Sequence, residues 1–275
     1  MLHWVCVAAD ESATEAGVVV DGKTYAGAKQ SDGRYKVTLP GIAAKDMDTE
    51  ILYQPYEVVG GKQVLNFLRR TRLTTLFSAY AEIDSTKEIA NTALAYHKWA
   101  SYYFGKTTAS PAAVADVTMP SAADYEAKLS GVTEGAGMNF YGATLLLQDK
   151  INIKLFLKTK DGADISEETL KTYRMKITKT DGTVVKELGN ESIAYETGSR
   201  DTVVVTATAL PATYYGEMLC FTLTDGEGNA VSPTLHYGVM TYVARQYNEA
   251  GGDEKLNGIL RAIVAYCNAV TAYHD

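Results

Sequence analysis

The chain opens in strict alternation. In MLHWVCVAA, Leu2, Trp4 and Cys6 alternate with His3, Val5 and Val7, the period of two that a strand imposes on its faces. EAGVVVDGKTYAG then carries Val18 to Val20, the dipeptide Asp21-Gly22, and Thr24 and Tyr25, a strong short-range hairpin signal. SDGRYKVTL brings a second Asp-Gly with alternating Tyr35, Val37 and Leu39, and ILYQPYEVV supplies a further strand after the corner GIAAKDMDTE. Pro55 inside that last run predicts an edge position or a bulge, because proline has no N–H to give the ladder.

From about Ser85 to Phe104 the period changes. Ile89, Ala93, Tyr96, Ala100 and Tyr103 recur at spacings of three and four, with Asp84 or Ser85 as N-cap and Gly105 as the stop, which predicts an amphipathic helix. Residues 107–131, TTASPAAVADVTMPSAADYEAKLSG, follow neither period over most of their length. They read as a linker with a short helix near Tyr125 to Leu129.

The second half repeats the theme. MNFYGATLLLQDKINIKLFLKT has two apolar runs flanking Gln148-Asp149-Lys150, and turns follow at Asp161-Gly162, Asp181-Gly182 and Asp225-Gly226. TVVVTATAL gives way to PATYYGEMLCFTLTD. A closing helix carries Leu256, Ile259, Leu260, Ile263, Val264, Cys267 and Val270 on one side, so it is expected on a surface. Strands with Asp-Gly turns and a Tyr/Ala-rich helix thus occur twice, the sign of a two-module repeat. IAAKDMDTEI (42–51) corresponds to LPATYYGEM (210–218), and LAYHKWASYYF (94–104) to VAYCNAVTAYH (264–274), matching Tyr96 with Tyr266 and Tyr103 with Tyr273. The expected division is a first module over 1–106, shorter at its beginning or diverged there, a linker over 107–131 and a second module over 132–275.

The totals fit this picture. A chain of 275 residues suits two units of about 100 to 150 residues, and 46% hydrophobic with 21% charged residues is ordinary for a folded protein. The net charge of -7 works against a nucleic-acid partner. The one close basic cluster, Arg69, Arg70 and Arg72, reads as a solvated strand edge or loop. No run reaches the roughly 18 apolar residues that span a bilayer, and the start lacks the basic region of a signal peptide. Cys6, Cys220 and Cys267 are an odd set, each in an apolar segment, and are expected as buried free thiols without a disulfide.

GRYKVTLPGIAAKDMDTEI together with the helix ending AYHKWASYYFG resembles a repeated module of large, uncharacterised extracellular proteins of gut Firmicutes. There a phrase like GIAAKDM precedes a strand and a helix like LLNYGAAAQTYFG closes the unit. The second half is similar through MNFYGATLLLQDKINIKLFLKTKDG and VAYCNAVTAYH, while IAAKDMDTEI and SYYFG are the most specific pieces. The resemblance implies an extracellular or cell-surface setting and a multidomain parent protein, and brings no assigned activity. His97 and Cys267 stand where the module tends to have Gly after the helix Tyr, which implies a different approach of helix to sheet.

Little chemistry is legible. His3, His97, His236 and His274 stand in four unrelated contexts and offer no triad. His97 reads as a packing residue and Cys220, within MLCFTLT, as a core thiol. The acid pairs Asp46/Asp48 and Glu167/Glu168 read as solvated, and DGEGN (225–229) as a hairpin turn in preference to a weak calcium loop. No zinc spacing or phosphate loop occurs. No catalytic residue, metal or cofactor is expected. Among nineteen tyrosines, Tyr53, Tyr56, Tyr214 and Tyr215 fall at or beside loops and are the candidate ligand-binding residues, with strand packing as the competing role.

The expected fold is mainly β with helices (α+β). It comprises two antiparallel β-sandwich modules of immunoglobulin or fibronectin type III kind, each closed by a C-terminal amphipathic helix. The expected role is a non-enzymatic adhesion or ligand-binding region of a surface or secreted bacterial protein, with a host extracellular protein such as an immunoglobulin or mucin as partner. A glycan partner, in a carbohydrate-binding module of a fibre-degrading system, and a passive spacer are the alternatives. No nucleic acid and no membrane insertion by this segment are expected.

Overall fold

A computed structural model of the chain describes residues 2–39, 41–114, 117–131, 137–147, 151–208 and 210–274. It divides into two compact units, Met1–Ser101 and Tyr102–Asp275. Both are built of antiparallel sheets with helices, a mixed α+β architecture.

In the first unit, seven strands are β1 (Leu2–Cys6), β2 (Glu15–Val20), β3 (Lys23–Lys29), β4 (Tyr35–Leu39), β5 (Ile51–Val59), β6 (Lys62–Leu65) and β7 (Arg69–Thr71). They lie in the order β1-β4-β3-β2-β5-β6, with β7 also beside β5. Asp21 (φ 48°) and Gly22 (φ 78°) make the two-residue turn between β2 and β3, so Val20 faces Lys23. β3 then changes partner midway, pairing β2 through Ala26 and β4 from Gly27 onward. A Cβ on Gly27 would stand 2.7 Å from the Ala16 carbonyl oxygen and 2.8 Å from the Tyr35 Cβ, so this corner closes only on glycine. Across it, Val18, Val37 and Leu39 form one core cluster, with Trp4, Cys6, Val20, Tyr25 and Tyr53 packed against it. The strands are one hydrogen-bonded path, because β3 stays paired on both sides of the bend.

Two helices follow, α1 (Leu73–Tyr80) and α2 (Lys87–Tyr103). α1 seats Leu73 with Met47 and Ile51. α2 occupies the segment where the period changes, and Ala93, Tyr96 and Ala100 of the expected stripe are buried along with Trp99. His97 and Ser101 are buried too, and both bond to the corner IAAKDM. His97 Nδ1 donates to the Ala44 carbonyl at 2.6 Å, and Ser101 Oγ donates to the Lys45 carbonyl at 3.2 Å. Those carbonyls belong to the 3-10 turn Ala44–Asp46, which is thereby pinned to the helix.

The second unit contains β8 (Lys128–Ser130), β9 (Met138–Leu146), β10 (Asn152–Thr159), α3 (Glu167–Thr172), β11 (Arg174–Lys179), β12 (Val184–Leu188), β13 (Ile193–Tyr195), β14 (Thr202–Ala207), β15 (Leu219–Thr224), β16 (Thr234–Tyr237), α4 (Val239–Glu249) and α5 (Glu254–His274). The strands form two sheets, β13-β14-β10-β9 and β12-β11-β15-β16-β8. Ile153, Leu155 and Leu157 of β10 stand opposite Ala207, Val205 and Val203 of β14, all sealed from solvent, as are Met175 and Ile177 opposite Leu223 and Phe221 in the other sheet. One sealed face per antiparallel sheet is consistent with sandwich packing. The apolar runs β9 and β10 pair as expected, while Gln148, Asp149 and Lys150 lie outside the described residues.

Within the segment 107–131, Ser110 and Val114 bond to α5. Arg261 donates through Nε and Nη2 to the Val114 carbonyl, both at 3.2 Å, and Ser110 Oγ donates to Glu254 at 2.6 Å. The helix expected near Tyr125 to Leu129 is absent, because Lys128–Ser130 is strand β8, paired with β16. Five residues cannot nucleate a stable helix alone, whereas a ladder on an existing edge needs no nucleus. α5, expected to be apolar on one side only, is buried nearly all round. Between residues 258 and 270 only Asn268 is exposed, and Arg261 and Tyr266 are half-buried. Ser110 and Val114 bond to α5, and Thr118, Pro120 and Tyr125 line a pocket with its Val264, Asn268 and Thr271.

The tightest approach in the first unit offers a test of its packing. A Cβ on Gly17 would stand 2.3 Å from the Tyr25 carbonyl oxygen and 2.7 Å from the Tyr56 ring. Gly17→Ala is therefore expected to destabilise the first unit by about 1–3 kcal/mol. Both tryptophans, Trp4 and Trp99, lie in that unit, so fluorescence-detected urea unfolding reports it alone. An unchanged midpoint would contradict the close approach.

Candidate functional site

The four tyrosines singled out by sequence divide between the two units. Tyr53 and Tyr56 lie inside β5, not beside a loop. Tyr53 packs on Trp4 with ring centroids 4.3 Å apart, and Tyr56 is 4% exposed with its hydroxyl donating to Glu15 at 2.6 Å. Tyr56 is thus a core residue, since the strand's period turns it inward. Tyr214 and Tyr215 belong to the second unit, at the 3-10 turn Ala212–Tyr214. Lys179 Nζ stands 5.2 Å above the Tyr214 ring and pairs with Glu217 at 2.9 Å. Tyr215 is half-buried beside Tyr266 and Cys267, and burial raises its phenol.

A different surface stands out in the first unit. β5 and β6 join through Gly60 and Gly61, both at positive φ (58° and 74°), a turn that sets Val59 opposite Lys62. The ladder runs on to Tyr56 opposite Leu65, and the Asn66 N–H donates to the Pro55 carbonyl at 2.7 Å. It resumes with Tyr53 opposite Arg69. In between, Gln54 and Pro55 face Asn66, Phe67 and Leu68, one residue too many, which is a bulge.

Pro55 explains it. In an extended strand the N–H and C=O of one residue point to the same side. Pro55 turns its carbonyl to Asn66, so the N–H it lacks would have pointed there too. With no donor to match, the opposite chain takes in an extra residue. Side chains tie it down: Gln54 Nε2 donates to the Asn66 carbonyl at 2.6 Å, and Asn66 Oδ1 accepts from the Phe67 N–H at 2.7 Å.

The bulge turns apolar side chains outward. Phe67 is 83% exposed and Leu68 59%, beside exposed Val64 and Leu65. Lys62, Arg69, Arg70 and Arg72 on the same ribbon are exposed as well. A groove of about 280 Å³ runs alongside, between Cys6, Val7 and Ala9 on one bank and Pro55, Val64 and Leu65 on the other. Glu57 accepts from the N–H groups of Ala9 (2.8 Å) and Asp10 (3.1 Å), which holds the first bank against β5.

The second unit has an open cleft of about 630 Å³ on the outer face of the four-stranded sheet. Its floor is Phe156, with Val204 and Ala194 beside it in register, and Thr206 opposite Lys154. Here too a bulge acts. Phe156 faces Gly142 but Leu157 faces Phe140, so Tyr141 is the extra residue of β9. It is 53% exposed, its ring lies 5.8 Å from that of Phe156, and its hydroxyl donates to Glu196 at 2.7 Å. Burial, and then the Glu196 carboxylate, push its phenol up to about 12.

One chemical pairing was missed by sequence. Cys220 and His236 are cross-strand partners in β15 and β16, with Sγ 3.5 Å from Nδ1, while Ser130 Oγ of β8 lies 2.6 Å from Nε2. A nucleophile must be a thiolate, and burial raises this thiol, which is 7% exposed. The array therefore holds a neutral thiol on a polar ladder that also pairs Thr222 with Thr234. DGEGN spends Asp225 on its own loop, accepting from the N–H groups of Glu227 and Asn229, both at 2.9 Å. Among the described residues no cluster of three His, Cys, Asp or Glu side chains could hold a metal, and no helix is long and apolar enough to cross a membrane.

No protein-family model matches the chain, and no curated protein does. Among solved structures it is similar to a chain described as "Biofilm associated protein - BSP domain", at 10% identity and a TM-score of 0.19. The match covers 83% of this chain and 25% of that one, so the chain spans about a quarter of that protein's length.

The Tyr141 phenol gives the second cleft a pH signature. Its acid form is favoured in the folded state, so the stability it contributes is whole below the ordinary phenol value of 10.0 and is lost as pH rises toward about 12. Tyr141→Phe is expected to flatten the alkaline fall in stability within that window and to remove one late-titrating phenol from the phenolate absorbance. An unchanged alkaline titration would contradict the Tyr141–Glu196 contact.

Proposed function

We propose that the chain is a non-enzymatic binding region of a surface-displayed or secreted bacterial protein, and that its partner is a host extracellular protein such as an immunoglobulin or mucin. The observation that carries this reading is the ribbon from Lys62 to Arg72. Val64, Leu65, Phe67 and Leu68 are exposed on it, next to a groove and flanked by cations. Burying a Phe or Leu side chain is worth about 1.5–3 kcal/mol, so this ribbon holds binding free energy that folding has not used. The extracellular setting is supported by the resemblance carried in IAAKDMDTEI and SYYFG.

The reading also takes the two units as copies of one module closed by a helix. In each, a 3-10 turn precedes a strand at the same interval, Ala44 before Ile51 and Ala212 before Leu219. In each, the turn region meets the helix at corresponding positions. His97 and Ser101 of α2 bond to the first turn, while Tyr215 and Gly216, just after the second, lie beside Cys267 and Thr271 of α5.

The test is retention of proteins from host serum and mucus on immobilised chain, compared with a Phe67→Ser/Leu68→Ser variant. A partner held by the native chain and lost at least tenfold by the variant is expected, since about 1.4 kcal/mol is a factor of ten. Equal retention on both would remove the ribbon from the interface, and no retention at all would favour a passive spacer.

A glycan partner is the second reading, favoured by the cleft that places Phe156 and Tyr141 beside Glu196, Thr206 and Thr208. Sugar rings stack on such faces while hydroxyls and carboxylates take their polar edges. Glycan-array binding that survives Phe67→Ser and disappears with Phe156→Ala and Tyr141→Ala would establish it over the first.

A further inference from the structure

Resting on the protein-binding reading above, we propose that the partner engages the ribbon as an added β-strand. It would be an extended acidic and apolar segment that pairs with the outer edge of β6 and runs on past the bulge toward Arg72.

β6 ends the strand order of its sheet, so among the described residues its outer side has no strand partner. The Gly60-Gly61 turn fixes which backbone groups lie there. With Val59 bonded to Lys62 across a two-residue turn, residues 62, 64 and 66 face β5, and Gln63 and Leu65 turn their N–H and C=O groups outward. Past the bulge, Arg69 and Thr71 face β5, and Arg70 turns outward by the same alternation. The edge therefore offers a backbone template from Gln63 to Arg70, all of it exposed. Proteins usually cover or interrupt such an edge, because it recruits other strands. Here the bulge adds Phe67 and Leu68 to the exposed surface instead of hiding it.

The side chains state the chemistry of the occupant. Apolar residues on the incoming strand would meet Val64, Leu65, Phe67 and the groove wall at Val7. Carboxylates would meet Lys62, Arg69, Arg70 and Arg72. Of these, Arg70 reaches only Glu50, at 3.9 Å and with its side chain 71% exposed, and Arg69 and Arg72 have no acidic partner among the described residues. A second copy of this chain fits poorly, because two such edges in antiparallel pairing would set Lys62 of one against the arginines of the other, and like charges opposite one another destabilise a ladder. A membrane surface would use the cations and Phe67 but not the outward backbone groups.

The experiment measures fluorescence anisotropy of the full chain with a labelled nine-residue peptide alternating valine with glutamate and threonine. Parallel arms use the same peptide N-methylated at alternate backbone nitrogens, the peptide with lysine in place of glutamate, and vesicles of phosphatidylglycerol. Binding of the parent peptide is expected, with at least tenfold loss on N-methylation, on the lysine exchange and in an Arg69→Glu/Arg70→Glu/Arg72→Glu variant. Leu65→Pro is expected to match the N-methyl effect, because the N–H it removes points away from β5. If that variant does not fold, the N-methyl arm on the native chain still decides. Absence of peptide binding up to about 1 mM, equal binding of the N-methylated peptide, or uptake by vesicles undiminished by excess peptide would each overturn strand addition. A host protein retained through Phe67 and Leu68 but not displaced by the peptide would leave the protein-binding reading intact and reject the strand mode alone.

Discussion

A strand with neighbours on both sides must satisfy two ladders, and Pro55 has no N–H with which to do so. It sits near the middle of β5, the strand that joins β2 on one side to β6 and β7 on the other. On the β2 side nothing is lost, because Pro55 faces Val18 at a position where neither residue turns its N–H toward the other. The deficit falls wholly on the β6 side. There the chain responds with an extra residue and two side-chain hydrogen bonds, Gln54 donating to the Asn66 carbonyl and Asn66 Oδ1 accepting from the Phe67 N–H, that replace ladder order with side-chain order. The outward Phe67 lies in the bulge that answers that one missing donor.

The second unit reaches a similar end by another route. In β9 the inserted residue is Tyr141, with Gly142 next to it opposite Phe156, so the Phe156 ring can lie over a position without a side chain. The sealed face of the sheet is undisturbed, because β10 keeps Ile153, Leu155 and Leu157 in register with β14. A bulge is thus a way to change what the outer face shows without repacking the core. In both units an aromatic side chain is displayed where the alternation of the strand alone would not have put it.

Much of the framework was legible from the period of the chain. The Asp21-Gly22 hairpin, the inward Tyr35, Val37 and Leu39, and the α2 stripe all follow from local rules that no tertiary contact overrode. Pro55 was legible as an edge or bulge marker, and the bulge was the alternative that formed. Its consequence for Phe67 was not legible, since that depends on counting residues across the Gly60-Gly61 turn and along two ladders. The place of Tyr56 in its strand was hidden for a related reason. Tyr56 looks loop-adjacent until its strand is seen to extend three residues beyond it, which puts its ring on the buried face against Gly17. Cys220 and His236 meet only because the irregular loop over 225–233 sets their register, and spacing in sequence carries no trace of that. α5 read as a surface helix because nothing in the sequence around Ser110 and Val114 announces their bonds to Glu254 and Arg261.

An exposed apolar edge carries a risk of indiscriminate pairing, and the charges of this ribbon bear on that risk directly. The chain as a whole is acidic, with a net charge of -7, yet the edge from Lys62 to Arg72 carries four cations and no acid. Against another copy of itself those cations repel; against an acidic segment they attract. On the strand-addition proposal, the same four side chains would discourage self-assembly through β6 and favour an acidic foreign strand. Coulomb attraction between exposed charges is weak and screened by salt, so the cations would set selectivity and encounter rate more than affinity. Affinity would have to come from Phe67, Leu68 and the groove, which lie between the two ends of the charged ribbon where water is most easily displaced. On the strand-addition proposal, the apolar centre and cationic flanks of this one hydrogen-bonding edge would divide affinity from selectivity.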